Sequence, residues 1–213
     1  MEQSESLNVQ VATIDDLDNL VELHFQCFNP KDHLIMVLGK SFMSDVYKWF
    51  LTSENVVVCE AEVNGKPIGF CVFCKGPYRK QIFSNNKLSV IRALLFRPWL
   101  VFHPQIWKTV IESFFGSEEI EEFLKKNAEF GHASLIGIHP DYRRGGYSRA
   151  LSDKSFKKLY ELGWQKIIGI AHKGNIASQR MMESFGFKRA DLSVGAAELV
   201  VFTKELDGQD LPR

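Results

Sequence analysis

Two adjacent glycines, Gly145 and Gly146, follow two arginines and lie between a strand pattern and a helix pattern. The largely apolar run at residues 134–138 predicts a buried strand, and residues from about 146 to 162 predict a helix that ends at Gly163. Backbone N–H groups at such a helix start, together with the helix dipole, attract negative charge. The sequence therefore predicts an anion site of the kind that holds a phosphate, although an arginine-rich turn without a ligand would have the same composition.

The rest of the chain alternates between strand and helix patterns and predicts a single domain over residues 1–213. Asn64 and Gly65 favour a tight turn, which predicts a β-hairpin from the strands at 56–63 and 67–74. Gly39 weakens or breaks a helix predicted over about 33–52. The other predicted elements are a strand at 9–13, a helix from a Thr13 cap to about Phe28, a helix at about 117–127, a strand at 167–171, a helix at 176–185, and closing strands at 187–189 and 198–204. This order predicts an α+β fold around one sheet.

The composition limits which binding partners and which cellular compartment we expect. Lys+Arg and Asp+Glu both total 26, so the formal net charge is zero and we expect no nucleic-acid partner. The first residues lack the basic and apolar regions of a signal peptide, and the four cysteines lie among apolar neighbours, so we expect a cytoplasmic protein. Cys71 and Cys74 form a C-x-x-C pattern, but positions i and i+3 of a strand face opposite ways. We therefore expect core cysteines and no metal.

Residues 75–111 carry seven positive charges and no Asp or Glu, and they are rich in aromatic side chains. We interpret about 75–116 as a helical insertion of two short helices, broken near Pro98 and Pro104 and too interrupted to span a bilayer. It could form a satellite core with solvated charges, a lid for a phosphorylated or nucleotide-linked acceptor, or a surface for anionic lipid. Because the sequence shows no clean amphipathic period, we do not expect contact with a membrane surface.

The segment from Pro140 to Ser148 resembles the acetyl-CoA motif of the GNAT N-acetyltransferase superfamily. In that motif, Arg or Gln is followed after three residues by Gly and after five by Gly or Ala. Arg143 and Gly146 match this pattern, and Ser148 is a small but irregular third member. A second segment, residues 175–187, looks like the family's Asn helix, which ends in Gly-Phe. Two motifs at the expected separation are more specific than either alone.

This resemblance covers about residues 130–190 firmly, and the first strand, two helices and hairpin in outline. It implies the acyl-CoA N-acyltransferase fold, a mixed and mostly antiparallel central sheet flanked by helices, with acetyl-CoA as the acyl donor. Backbone groups of Ile136 and Ile138 are then implied to hold the pantetheine arm. The residues implied to cradle the pyrophosphate are Arg143, Arg144, Gly145, Gly146, Tyr147 and Ser148, and those implied to line the pantetheine and thioester end are Asn175, Ser178 and Met182.

Direct acetyl transfer needs a neutral amine and a hydrogen-bond donor for the oxyanion that develops at the thioester carbonyl. The backbone N–H of Ile138 is the candidate donor. His132 lies where some family members carry a catalytic Glu or His, and this makes it the leading candidate for the general base. Glu129 and His172 are the alternatives. If His132 is the base, its change to Ala should lower turnover at pH 7 and do so less at high pH.

The sequence shows no evident general acid that could protonate the leaving thiolate. The family often places a tyrosine at the position that matches Met182, and a thioether cannot donate a proton. Water could serve, because a thiolate is fairly stable near its pKa of about 8.5, or Tyr147 could substitute from the loop. Tyr147 is therefore a candidate catalytic residue.

The resemblance leaves several functions open. The first is N-acetylation of a small-molecule primary amine, for which an amino sugar on a nucleotide is one candidate. The same cofactor loop would permit O-acylation or a longer acyl chain. The irregular Ser148 and Met182 also allow a non-catalytic module that binds acyl-CoA. A homodimer is the assembly that the resemblance suggests.

Overall fold

The computed structural model describes residues 7–30, 33–99, 118–190 and 199–207. Within these residues, seven strands form one sheet. They are β1 (Leu7–Val11), β2 (Val56–Val63), β3 (Lys66–Lys75), β4 (Gly131–Ile138), β5 (Lys166–His172), β6 (Lys188–Arg189) and β7 (Leu199–Glu205). Their order across the sheet is β1-β2-β3-β4-β5-β7-β6. Every neighbouring pair is antiparallel except β4 and β5, which are parallel.

Helices cover both faces of this sheet. They are α1 (Leu17–Cys27), α2 (Lys40–Thr52), α3 (Tyr78–Asn85), α4 (Lys87–Phe96), α5 (Glu118–Lys126), α6 (Tyr147–Glu161) and α7 (Ile176–Ser184). Short 3₁₀ turns occupy Ile14–Asp16, Leu34–Leu38 and Pro140–Tyr142. None of the described helices is long and apolar enough to cross a membrane.

Two apolar clusters form the core, one on each face of the sheet. On one face, α1 to α4 pack around Phe70, which is fully buried and has the ring of Tyr47 edge-on at 5.9 Å between centroids. On the other face, Leu151 and Leu159 of α6 pack with strand residues such as Phe202. Because alternate strand residues point to opposite faces, the central strands are apolar on both sides.

The predicted α+β fold is confirmed, and several element boundaries differ from those predicted. The Asn64-Gly65 turn has φ of 53° and 74°, as a type I′ hairpin requires. At Gly39, φ is 92°, so the long predicted helix is divided into a 3₁₀ turn and α2. The α4 helix ends at Phe96, shortly before Pro98 as predicted, and a further break that was not predicted separates α3 from α4 at Asn86. The predicted break near Pro104 lies outside the described residues.

The cysteines match the prediction of core residues. Cys27, Cys59, Cys71 and Cys74 are all free and buried. Burial raises the pKa of each of these thiols, to about 12 for Cys27 and about 11 for Cys59. They are therefore protonated at neutral pH and are not reactive nucleophiles.

Candidate functional site

The parallel strands β4 and β5 diverge soon after they meet. Their pairing joins Gly131 to Ile167 and His132 to Ile168, and it does not continue along the described strands. A β-bulge in the neighbouring ladder leaves Ser134 without a partner residue on β3, between the pairs that Ala133 and Leu135 make. The sheet is therefore split beyond His132, and one edge of β4 faces the gap.

The ladder between β3 and β4 decides which backbone groups face this gap. The N–H of His139 donates to the carbonyl of Ile68 at 2.8 Å, and Gly69 lies opposite Ile138. In an antiparallel ladder, hydrogen-bonded and non-hydrogen-bonded pairs alternate. Ile138 and Ile136 are consequently non-hydrogen-bonded residues of this ladder, and their N–H groups point away from β3 into the split. The binding of the pantetheine arm by these two backbone groups, which the resemblance implies, stays a prediction.

A cavity of about 370 Å³ fills the split and continues beneath α6 and α7. Its lining is mostly apolar and includes Ile136 of β4 and Ile170 of β5, which lie on the two sides of the gap. The polar side chains at the lining are Ser134, Ser152 and Ser178. A narrow apolar slot with backbone N–H groups along one wall suits a flexible chain that carries amide groups.

The turn before α6 leads into a helix start that is open and suited to an anion. Gly146 is the N-cap of α6 with φ of 79°, and Arg144 has φ of 69°. Apart from its chain neighbours, no heavy atom of the structure lies within 4 Å of a Cβ built on Gly146, so the space above it is open. The first N–H groups of α6 have no intrahelical acceptor, and the helix dipole makes this end positive.

Arg143 holds this turn against the body of the protein. Its Nε donates to the carbonyl of Ile138 at 3.1 Å, and its Nη2 donates to the carbonyl of Cys27 at 2.6 Å. The guanidinium therefore ties the turn to the end of β4 and to the end of α1. In this position it fixes the turn, and the neighbouring Arg144, which is also exposed, can reach a ligand from solvent.

Tyr147 packs on the turn. Its ring is edge-on to that of Tyr142, with 5.7 Å between centroids. A Cβ at Gly145 would lie 2.9 Å from the Tyr147 ring, so this glycine permits the close packing. Tyr147 is not one of the residues that line the cavity. The structure thus offers it no place beside a thioester, whereas the half-buried Ser148 lies in the first turn of α6.

The residues predicted on α7 divide between two roles. The side chain of Asn175 caps the helix, because its Oδ1 accepts a hydrogen bond from the N–H of Ser178 at 3.0 Å. Ser178 and Met182 line the cavity, and Asn175 does not. Gly169 of β5 lets Met182 approach closely, since a Cβ there would lie 2.7 Å from the methionine sulfur.

His132 occupies a place that does not suit a general base. It is 4% exposed, and neither ring nitrogen has a hydrogen-bond partner. Its ring faces Tyr78 at 5.8 Å and does not line the cavity. Burial, together with the smaller effect of the Arg79 charge, lowers the pKa of His132 to about 3. The imidazole is therefore neutral at pH 7 but too weak a base to take a proton from an ammonium group.

The two alternative bases are both exposed. Glu129 lies in the turn that precedes β4, and His172 ends β5. Neither lines the cavity. Their roles stay predictions.

Several cavity residues escaped the sequence analysis. Ser134 lies at the bulge, and the only signal for it in the sequence is a serine inside an apolar strand. Phe28 follows the end of α1, and Phe73 and Phe156 come from β3 and α6, all of them at the cavity wall. They have the spacing of ordinary core residues, so no pattern in the sequence distinguishes them.

The arrangement fits a coenzyme A thioester on structural grounds. The open helix start beside Gly146 can accept a pyrophosphate, and the split beside Ile136 and Ile138 can accept the pantetheine arm. No group of three or more His, Cys, Asp or Glu side chains that could hold a metal occurs in the described part of the chain.

Comparison with known proteins gives a consistent result. The family model "Acetyltransferase (GNAT) family" matches residues 17–187. An acetyltransferase of Yersinia pestis (strain Pestoides F) is 25% identical over 119 residues, which are 56% of this chain and 79% of that protein.

Solved structures show the same fold. The PaiA N-acetyltransferase of Thermoplasma acidophilum, in complex with coenzyme A, is similar with a TM-score of 0.56 and 12% identity, over 94% of this chain and 99% of that one. A probable acetyltransferase of Staphylococcus epidermidis has a TM-score of 0.57 and 12% identity, over 95% and 100% of the two chains.

We predict that Gly146→Val weakens coenzyme A binding by more than about tenfold, because the side chain would fill the space where the pyrophosphate approaches the backbone. Gly163→Val is the matched control. Gly163 also has a left-handed φ, 80°, and open space around its Cβ, but it lies at the far end of α6. Both variants should lose similar stability, on the order of 1–2 kcal/mol. Isothermal titration that shows equal affinity for the two variants would refute the loop assignment.

We also predict a pH signature for His132. The unfolded histidine titrates near pH 6.5 and the folded one near 3, so the unfolded chain binds the extra proton first as the pH falls. The stability that neutral His132 contributes is thus present above about pH 6.5 and is lost toward pH 3. Between pH 7 and pH 5, the free energy of unfolding of the natural protein should fall by roughly 2 kcal/mol more than that of His132→Leu. Denaturant unfolding at the two pH values measures this difference. If the unfolding free energies of the two proteins change with pH in the same way, burial does not suppress the charge of His132.

Proposed function

Because the chain belongs to the GNAT acetyltransferase family, we propose that it transfers the acetyl group of acetyl-CoA directly to a primary amine of a small molecule. The observation that carries this proposal is the split between β4 and β5 beside the open start of α6. It joins an apolar slot to an anion site at the same end of β4. The sequence prediction of this family and of an acyltransferase is confirmed.

The donor would be held mainly by backbone groups. The N–H groups at the start of α6 would bind the pyrophosphate, with Arg144 adding charge from the solvent side. The N–H of Ile138, beside the turn before α6, would bind an amide carbonyl of the pantetheine, and the N–H of Ile136, in the cavity, would bind the thioester carbonyl. Met182 and Ser178 would contact the far end of the arm.

The transfer itself is a nucleophilic substitution at the thioester carbonyl. The amine nitrogen forms a bond to the carbonyl carbon, the carbonyl oxygen takes negative charge, and the N–H of Ile136 donates to it. Ile136 lines the cavity, whereas Ile138, the donor expected from the sequence, lies beside the turn that would hold the pyrophosphate. The carbon–sulfur bond then breaks, the thiolate leaves with its electron pair, and the amine nitrogen releases its proton to water. Arg143 supports donor binding indirectly, because it holds the carbonyl of Ile138 at 3.1 Å and so fixes the end of β4.

No side-chain acid or base is needed in this scheme. Among the described residues that line the cavity, Cys71 is the one with a titratable side chain, and burial raises the pKa of its thiol. Met182 cannot donate a proton. The chain would therefore accelerate the reaction by orienting the two substrates and by stabilising the oxyanion.

The test is acceptor-dependent release of the coenzyme A thiol. The acceptor panel should contain simple alkyl and aryl amines, amino sugars free and linked to a nucleotide diphosphate, and the matching alcohols. Thiol release with amines alone supports the proposal, and release with alcohols alone would indicate O-acylation. Tight coenzyme A binding without release for any acceptor would indicate a non-catalytic module.

We predict that kcat/KM rises about tenfold per pH unit below the pKa of the acceptor amine and levels off above it, because the enzyme supplies no base of its own. For two acceptors whose amine pKa values differ, the pH profiles of kcat/KM should be displaced along the pH axis by that difference in pKa. His132→Leu should leave the profile unchanged, in contrast to the expectation from sequence. An inflection near neutral pH that is the same for both acceptors would instead reveal an enzyme base.

A further inference from the structure

We infer that α4 and the residues directly after it form a docking surface for a membrane rich in anionic lipid. Five large apolar side chains within twelve residues are exposed there: Leu88 by 82%, Ile91 by 53%, Leu95 by 75%, Phe96 by 78% and Trp99 by 63%. Isolated exposed apolar side chains are ordinary, but a contiguous group of this size marks an interaction site.

The exposed residues form one stripe along the helix. Leu88, Ile91 and Leu95 follow the spacing i, i+3 and i+7, so their side chains project from the same face. The opposite face carries the buried Val90 and Ala93. That face packs α4 against the protein body, and the stripe points outward from the described structure.

The α4 helix is also anchored at both its middle and its end. Arg92 donates to the hydroxyl of Ser41 and, at 3.1 Å, to the carboxylate of Asp45. Arg97 donates to the carbonyl of Val37 at 3.1 Å. A helix held in this way presents its stripe as a rigid surface and does not have to fold on contact.

The charge around the stripe favours an anionic partner. Residues 75–99 contain six positive charges and no Asp or Glu. Lys87 is exposed in the first turn of α4, whereas the charge of Arg92 is balanced by the carboxylate of Asp45. Basic residues beside bulky apolar and aromatic ones are typical of helices that lie in the membrane interface. A ten-residue helix is far too short to cross a bilayer, so contact would be with one surface.

The same charges disfavour a second copy of this chain as the occupant. A symmetric dimer places the same patch on both partners, so Lys87 and its neighbours would face like charges. Contact with a membrane surface was not expected from the sequence, because the segment has no clean amphipathic period. The structure adds which side of α4 packs against the protein body and which apolar side chains are left exposed.

The experiment is co-sedimentation of the full-length protein with vesicles. One set consists of phosphatidylcholine alone, and the other contains about one third phosphatidylglycerol. The double variant Leu88→Glu with Leu95→Glu should bind the anionic vesicles at least about tenfold more weakly, because it removes apolar contact and adds negative charge. Leu162→Glu is the matched control, since Leu162 is 55% exposed after α6 and outside the stripe.

The charge contribution is tested separately. Lys87→Glu should weaken binding at least about fivefold, and high salt should weaken binding of the natural protein. Lys157→Glu, on the exposed side of α6, should have no such effect. Coenzyme A affinity and thermal stability should be unchanged in all four variants, and this distinguishes loss of docking from loss of fold.

Three results would overturn the inference. The first is no sedimentation of the natural protein with anionic vesicles. The second is equal sedimentation of the stripe variant and the Leu162 control. The third is a dimer in light scattering that the stripe variant dissociates while vesicles are not bound, which would assign the stripe to self-association.

Discussion

The structure depends on the point at which β4 and β5 stop pairing. A parallel pair inside a sheet normally continues to the ends of its strands, because an unpaired backbone group in an apolar setting costs free energy. Here the pairing ends at His132 and Ile168, and the backbone edge at Ile136 and Ile138 faces the split. The bulge at Ser134 changes the twist of β4 at the place where the strands separate.

The elements around the split maintain this separation. Arg143 donates hydrogen bonds to the carbonyls of Ile138 and Cys27. These bonds connect the turn before α6 to the end of β4 and to the end of α1. On the other side, the thioether of Met182 lies directly on Gly169 and keeps α7 close to β5. The anion site and the slot are thereby held in fixed relation, and this relation is what a donor with a pyrophosphate at one end and a thioester at the other requires.

The sequence predicted those features that depend on a few neighbouring residues. It did not predict those that depend on packing between distant parts of the chain. Gly146 and Asn64 could be assigned because positive φ and turn type follow from a few neighbouring residues. His132 was chosen as a base from its position along a strand, but the strand continues back to Gly131, and the histidine is enclosed on the face covered by α3. Neither the bulge nor the break at Asn86 leaves a strong signal, because both are set by packing against elements distant in sequence.

We propose that the backbone edge of β4 and the start of α6 bind the donor together. A ¹⁵N–¹H correlation spectrum of the labelled protein, titrated with coenzyme A, tests this. We expect the largest changes on the amides of Ile136, Ile138 and the first turn of α6. Changes confined to other amides, for example those around Arg92 and Arg97, would contradict it.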